Sequence, residues 1–240
     1  MTQDQFLVPT ALLDYPTATI SSLVRKRAWR DLATPFERVG AVYTFVRDEI
    51  AFGYNRSDDI PASEVLADGY GQCNTKATLL MALLRAVGIR CRLQGATIRK
   101  NLQRGAVSGL WYILAPAEIV HTWVEVDMDG AWIGLEGVIL DRPYLEGVKR
   151  IANVATGPFE GYAVATQDIA APPIDWRGQA TAIQAGGIAR HFGTFDSPDV
   201  FYASHRANLA PLQRVMYRYL VRHRLNSNVA KIRRTGNSAG

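Results

Sequence analysis

The chain has 240 residues, of which 48% are hydrophobic and 20% charged, and its formal net charge is +5 at pH 7. This is enough apolar material for the core of one large domain, and no stretch is biased enough in composition to predict disorder. The first residues lack the basic and continuous apolar parts of a secretory signal, and no run of about 18 apolar residues predicts a membrane span. Two cysteines are too few for a disulfide framework in a chain of this length. We therefore expect a cytoplasmic protein that makes no membrane contact.

The first well-defined element is a helix that begins near residue 35, after a short helix expected over residues 21–29. Thr34 before Pro35 predicts the N-cap of the longer helix, with Glu37 in the capping-box position. Apolar residues recur on one face of this helix up to residue 50. Residues 51–69 contain the turn-forming stretches FGYN, SDDIP and ADG, and we expect a loop there.

A second helix is expected to begin at Cys73, shortly after two closely spaced glycines. Apolar residues follow at helical spacing: Ala77, Leu80, Leu83, Leu84 and Val87. Gly88 is a favourable helix terminator. The next stretch, IRCRLQGATI, alternates as a strand and places Cys91 on its apolar face. We expect Cys91 to be a small buried hydrophobic residue and not a reactive thiol.

The connection from this strand to the next covers residues 99–120 and is long, and long ordered connections are often functional. It contains three cations and two large aromatic residues: Arg99, Lys100, Arg104, Trp111 and Tyr112. Two interpretations stay open. The segment is either a lid that receives an anionic or aromatic substrate, or a solvated excursion without a ligand.

A β-hairpin follows and is the best-determined element in the sequence. VHTWVEVDM alternates strictly, the dipeptide DG at 129–130 predicts a two-residue turn, and AWIGLEGV forms the returning strand. This turn sets Met128 opposite Ala131 and determines the register of the whole hairpin. His121 and Glu136 then share a face as diagonal neighbours. Their backbones are about 7–8 Å apart, a gap that a glutamate side chain can close.

From residue 143 onward we expect a C-terminal extension that packs on the preceding part or covers its cleft. From Phe201 to the end there are eight Lys or Arg residues and no Asp or Glu. Their spacing predicts a basic helix with Leu212, Val215, Met216, Tyr219 and Leu220 on one face and Arg214, Arg218 and Arg222 on another. Such a helix binds nucleic acid or an acidic partner, or it is a solvated face whose charges pair within the fold. We expect the solvated face and no nucleic acid.

A thiol, an imidazole and a carboxylate stand out in these elements. A nucleophilic thiol is activated by the positive end of a helix and by a neighbouring base, which a third group orients. Cys73, His121 and Glu136 meet these three needs. The backbone N–H of Cys73 lies in the first helical turn and can donate to an oxyanion. Gln72 is either a second oxyanion donor or a solvated residue at the helix start.

The block YGQCNTKATLLMALLRAVGIRCRL, followed by HTWVEVDMDGAWIGLE, resembles the catalytic core of the transglutaminase-like superfamily. The stretches VRDEIAFGYN and SEVLADGYGQC are similar to bacterial members. The resemblance covers about residues 34–142. It implies a papain-like α+β fold, with a central helix that carries the cysteine and packs on an antiparallel sheet. We therefore expect a catalytic core over residues 1–142 and an extension over residues 143–240.

The resemblance implies that Cys73 is the nucleophile and His121 the base. Glu136 occupies the position where the family usually has aspartate. Its extra methylene changes the reach of the carboxylate, so Asp141, just after the strand, is an alternative orienting acid. The hairpin geometry favours Glu136.

These features predict an enzyme that performs thiol-dependent acyl chemistry on an amide, peptide or small acyl substrate. We expect hydrolysis through an acyl-thioester. The alternatives are acyl transfer to an amine, a lyase or isomerase that uses the same thiol and imidazole, and a binding module without catalysis. No cofactor and no metal are expected, because His191, His205 and His223 form no metal-ligand spacing with the cysteines. The phosphate-binding and dinucleotide fingerprints are missing from the sequence.

Overall fold

A four-stranded antiparallel sheet with helices packed on it forms the core of the protein. The structure is a computed structural model that describes residues 4–107, 109–205 and 215–237. Its helices are α1 (Ala18–Lys26), α2 (Pro35–Asp48), α3 (Ala62–Asp68), α4 (Cys73–Ala86), α5 (Gly109–Leu114), α6 (Arg142–Ile151), α7 (Pro198–Ser204) and α8 (Arg222–Asn237). Its strands are β1 (Ala51–Phe52), β2 (Tyr70–Gly71), β3 (Cys91–Arg99), β4 (Glu118–Met128), β5 (Ala131–Gly134), β6 (Phe159–Gly161), β7 (Val164–Thr166) and β8 (Ile188–Phe195). The main sheet has the order β5-β4-β3-β8.

Helix α4 is the central helix of this fold. Every residue from Cys73 to Ala86 is buried, and the helix packs on β4 and β3 and is flanked by α2 and α3. Gly88 follows with a φ of 79°, a left-handed conformation that ends helices and favours glycine. A cysteine-bearing central helix on an antiparallel sheet confirms the papain-like α+β class expected from the sequence.

Helix α2 begins with the capping box that the sequence predicts. The Thr34 hydroxyl accepts from the backbone N–H of Glu37 at 3.2 Å, and the Glu37 carboxylate accepts from the backbone N–H of Thr34 at 2.9 Å. Pro35 occupies the first position of the helix. The apolar face expected for this helix is buried against the core.

The hairpin of β4 and β5 has the predicted turn and register. Asp129 and Gly130 both have positive φ, at 54° and 88°, as a type I′ turn requires. Met128 lies opposite Ala131, and further along the strands Leu135 donates its N–H to the carbonyl of Val124 at 2.8 Å. The turn chemistry predicts the register as far as Gly134, but the expected strand is too long: residues 136–138 form a 3₁₀ turn, so Glu136 lies just after the strand and not in it.

The segment 51–69 is not a loop throughout, so that expectation was wrong in part. Strand β1 pairs in parallel with β2, and α3 lies between them in sequence. Pro61 precedes α3, Val65 is buried, and Gly69 ends the helix with a φ of 69°. A helix this short has little stability by itself. Its packing against α4, which no sequence periodicity reports, stabilises it.

The C-terminal part contributes a strand to the main sheet and a helix to its surroundings. Strand β8 pairs with β3, and α8 packs closely along α6. Two glycines permit this close approach. A Cβ at Gly147 would overlap the carbonyl oxygen of Ile232, and a Cβ at Gly236 would overlap that of Pro143.

The predicted basic helix is seen from residue 215 onward, with a π-helical turn at Tyr217–Val221 before α8. Leu212 and Arg214 of the predicted helix lie outside the described residues. The apolar residues at the start of the described part are exposed: Val215, Met216, Tyr219 and Leu220. None of the described helices is both long and apolar enough to cross a membrane.

Gly147→Ala tests the contact between α6 and α8. Alanine is the better helix former by about 1 kcal/mol, yet we expect this variant to lose about 1–3 kcal/mol of unfolding free energy because the two backbones must separate. Gly186→Ala is the matched control, since a Cβ there would meet Ala165 at an ordinary 3.4 Å. Urea denaturation of the three proteins measures the difference. A Gly147→Ala variant as stable as the parent would contradict the proposed contact.

Candidate active site

Cys73 is the first residue of α4 and is 8% exposed. Gln72 occupies the N-cap position of the helix, and its side chain is bound elsewhere: the oxygen accepts from the backbone N–H of Asn55 at 3.0 Å, and the N–H₂ donates to Asp58 at 2.8 Å. Gln72 is therefore a buried residue that is already engaged, and not a solvated one. Gly71 is required before it, because a Cβ there would come 2.7 Å from the Thr75 hydroxyl.

Asn74 holds the start of α4 against the sheet. Its side-chain N–H₂ donates to the carbonyl of Val120 at 3.2 Å, and its side-chain oxygen accepts from the Thr122 hydroxyl at 3.1 Å. Val120 and Thr122 flank His121 in β4. The side chain of Asn74 thus contacts the residues on both sides of His121, and Asn74 is itself adjacent to Cys73. Sequence reasoning missed Asn74, although a polar residue at the start of an apolar helix was a usable signal.

His121 lies in β4 with no exposed surface, and its ring packs beside Trp123 at a centroid distance of 5.6 Å. Burial by itself would lower the pKa of His121, but the negative charges of Cys73 and Glu136 outweigh burial and raise the pKa to about 9. The surroundings of the imidazole therefore favour its protonated form.

Glu136 lies in the short 3₁₀ turn Glu136–Val138 that follows β5. Its Oε1 is 3.2 Å from Nε2 of His121, an ion-pair contact without the alignment of a hydrogen bond. The carboxylate also accepts from the backbone N–H groups of Ile183 at 2.5 Å and Gln184 at 2.9 Å. These donors stabilise a buried negative charge. Ile183 and Gln184 are far from Glu136 along the chain, and no sequence pattern predicted that they bind its carboxylate.

Asp141 has a different set of partners. It accepts from the backbone N–H of Phe52 at 2.7 Å and that of Tyr144 at 3.0 Å, and it pairs with Arg233 at 2.7 Å. The Tyr144 contact caps α6. Arg233 also lowers the pKa of Asp141 against the opposing effect of burial. These contacts join Asp141 to β1, α6 and α8, and none of them involves the imidazole of His121.

Lys76 is a fully buried residue one turn after Cys73 that sequence reasoning also missed. Its Nζ donates to the carbonyls of Arg47 and Ile139, each at 3.1 Å. Burial lowers the pKa of Lys76 to about 7. Ile139 is three residues after Glu136, so the bond from Lys76 fixes the segment that carries Glu136 relative to α4.

The remaining residues considered from the sequence lie elsewhere. Cys91 is fully buried in β3, and burial raises its pKa to about 11. His191 lies in β8, with Trp123 at a ring distance of 6.0 Å. His205 stacks on Phe201 at 4.9 Å. The cysteines and these two histidines therefore occupy four separate settings.

Residues 24–136 match the model of the transglutaminase-like superfamily. None of the curated proteins matches the chain. A solved structure described as a candidate cysteine protease from Cytophaga hutchinsonii is 14% identical, with a TM-score of 0.47, over 81% of this chain and 47% of that one. A candidate protease from Parabacteroides distasonis is 19% identical, with a TM-score of 0.34, over 52% of this chain and 25% of that one. The chain thus spans about half or less of the length of these two proteins.

The two cysteines should differ sharply in reactivity. We expect brief treatment of the native protein with iodoacetamide at about pH 6–7 to label Cys73 and to leave Cys91 unlabelled, because a protonated imidazole stabilises a neighbouring thiolate. His121→Ala should slow the labelling of Cys73 by about tenfold or more. Peptide mapping measures both cysteines in one digest. Equal and slow labelling of the two would mean that Cys73 is a core residue only.

Proposed function

Because residues 24–136 match the model of the transglutaminase-like superfamily, we propose that the protein hydrolyses an amide or peptide bond through a thioester on Cys73. In this proposal His121 transfers protons and Glu136 orients His121. One observation carries the proposal. A buried histidine lies 3.2 Å from a buried glutamate, and the cysteine at the start of α4 is near enough to raise the pKa of that histidine.

In the first half of the reaction, the Cys73 thiolate attacks the substrate carbonyl carbon and a C–S bond forms. The carbonyl electron pair moves to oxygen, and the backbone N–H of Cys73 is a donor for this oxyanion. When the oxyanion collapses, the C–N bond breaks and the imidazolium of His121 gives its proton to the departing amine. An acyl-thioester and a neutral imidazole remain.

In the second half, His121 takes a proton from water as the water oxygen attacks the thioester carbon. Collapse of this intermediate breaks the C–S bond and releases the carboxylic acid. The thiolate and the imidazolium are restored. Glu136 supports both halves by holding the ring and stabilising its charged form. Its two backbone donors keep the carboxylate in place, so the pair needs little rearrangement during turnover.

Hydrolysis needs only water as the second substrate. Acyl transfer follows the same first half, with an amine in place of water in the second.

p-Nitrophenyl acetate serves as an acyl donor that does not depend on the natural substrate. We expect a burst of nitrophenol and an acetyl adduct on Cys73 in the intact mass. Cys73→Ala should show neither signal.

Added glycinamide then separates the two outcomes. Hydrolysis predicts that acetate remains the main product, whereas acyl transfer predicts acetylglycinamide in proportion to the amine. A predominant amide product would replace the proposed hydrolysis with transfer. Absence of both burst and adduct in the folded protein would contradict the thioester itself.

Glu136→Gln should lower the turnover of this ester by on the order of 10²-fold or more, because an amide does not stabilise the imidazolium as a carboxylate does. Asp141→Asn is the comparison. It should leave turnover nearly unchanged and cost about 2 kcal/mol of stability through the weakened contact with Arg233. Turnover and urea denaturation are measured on both variants. The reverse ranking of turnover in the folded variants would transfer the orienting role to Asp141.

A further inference from the structure

A cavity lies between the segment 99–117 and helix α8. Its volume is about 390 Å³, within the usual range for small-molecule sites. Its walls include the aromatic ring of Trp111, two cations and two uncharged polar side chains: Arg224, Lys231, Ser227 and Asn228. Cys73, His121 and Glu136 are not among the residues that line it. The cavity is therefore a feature separate from the candidate active site.

The charge of this cavity is positive and uncompensated. Arg224 and Lys231 are seven residues apart, so they lie on one face of α8, with Ser227 and Asn228 between them. Both cations are exposed, and within the described parts of the chain neither pairs with a carboxylate. None of the described residues that line the cavity is acidic. Arg224 and Lys231 therefore have no carboxylate beside them there.

The position of the walls is fixed by hydrogen bonds. The side-chain N–H₂ of Asn228 donates to the carbonyls of Gly105 at 2.9 Å and Ala106 at 2.8 Å, which ties α8 to the segment 99–117. Five residues further along α8 from Asn228, Arg233 is tied to Asp141. A site that is preorganised in this way loses less entropy when a ligand binds.

The other aromatic residue and cations of the segment 99–117 have different partners. Lys100 and Arg104 lie over the ring of Tyr112 at 5.3 and 5.7 Å, and Arg99 donates to the carbonyl of Gly186 at 2.7 Å. Of the five residues singled out in this segment, Trp111 is the one that lines the cavity. It adds an aromatic ring to a lining that also contains the cations of α8.

We infer that this cavity binds a small multivalent anion, carrying phosphate or carboxylate groups that Arg224 and Lys231 engage together. Arg224 donates through a planar guanidinium that suits both groups, and Lys231 acts as a compact point charge. Ser227 offers a hydroxyl donor between them, while the amide of Asn228 is used to hold the wall in place. The cavity volume limits the ligand to metabolite size. The inference concerns binding and stands independently of the role of Cys73.

Isothermal titration calorimetry with the full chain tests this inference, with pyrophosphate and citrate as separate probes and acetate as the monovalent comparison. We expect saturable binding of pyrophosphate, citrate or both, weaker at about 200 mM salt than at about 50 mM, and much weaker binding of acetate. Whichever probe binds more tightly identifies the preferred anionic group. Saturable binding of neither probe would overturn the inference.

Matched variants locate the binding. Arg224→Gln and Lys231→Gln should each weaken it by about tenfold or more, since each removes a charge-assisted contact. Arg218→Gln removes an equal charge from the preceding turn, away from the cavity, and should change it little. Equal losses in all three variants would mean a diffuse charge effect and would overturn the site.

Two further measurements keep this result separate from the catalytic proposal. Arg224 and Lys231 are exposed, so thermal denaturation should show the parent stability in both variants. Cys73→Ala should bind the anion as the parent does. Binding that is retained in Cys73→Ala while the ester assay fails would leave the anion site standing and remove the proposed hydrolysis alone.

Discussion

The attachment of the first turn of α4 to β4 is the constraint on which the candidate site depends. Asn74 contacts the backbone of Val120 and the hydroxyl of Thr122, on either side of His121. Cys73, one residue earlier, is held at this end of α4 by the same contacts, and its sulfur lies 3.5 Å from the side-chain oxygen of Asn74. Gly71 permits this arrangement, because a Cβ there would collide with the side chain of Thr75. A helix start that slid by one residue would separate thiol and imidazole.

The second requirement is to stabilise charge in a buried place. An imidazolium without exposed surface is costly unless anions adjoin it, and a buried carboxylate is costly unless donors satisfy it. Glu136 satisfies the first condition for His121 at 3.2 Å, and the backbone N–H groups of Ile183 and Gln184 satisfy the second for Glu136. The segment that carries these donors is itself bonded to β5 and to Glu136. The same contacts therefore hold Glu136 in position beside His121 and stabilise the buried charge of its carboxylate.

Helix α8 links the C-terminal part to the same region. Asn226 donates to the carbonyl of Tyr54 at 3.0 Å and accepts from its N–H at 2.7 Å, and the Tyr54 hydroxyl donates to Gln103 at 3.0 Å. The next residue, Asn55, donates its backbone N–H to the side chain of Gln72, which directly precedes Cys73. The loop that carries Gln103 continues to Gly105 and Ala106, where Asn228 binds. The walls of the proposed anion site and the surroundings of the thiol therefore share one set of supports.

The sequence by itself determined the local elements and the identity of the main side chains. The capping box at Thr34, the helix from Cys73 and the type I′ turn at Asp129 are set by neighbouring residues, and the turn set the register of the strand that leads to Glu136. Only the tertiary structure decided that Asp141 pairs with Arg233, that Ile183 and Gln184 hold Glu136, and that α3 forms within residues 51–69. The reason is physical. Periodicity and turn chemistry report interactions over a few residues, whereas these contacts join positions far apart in the chain, whose pairing depends on how the whole core packs.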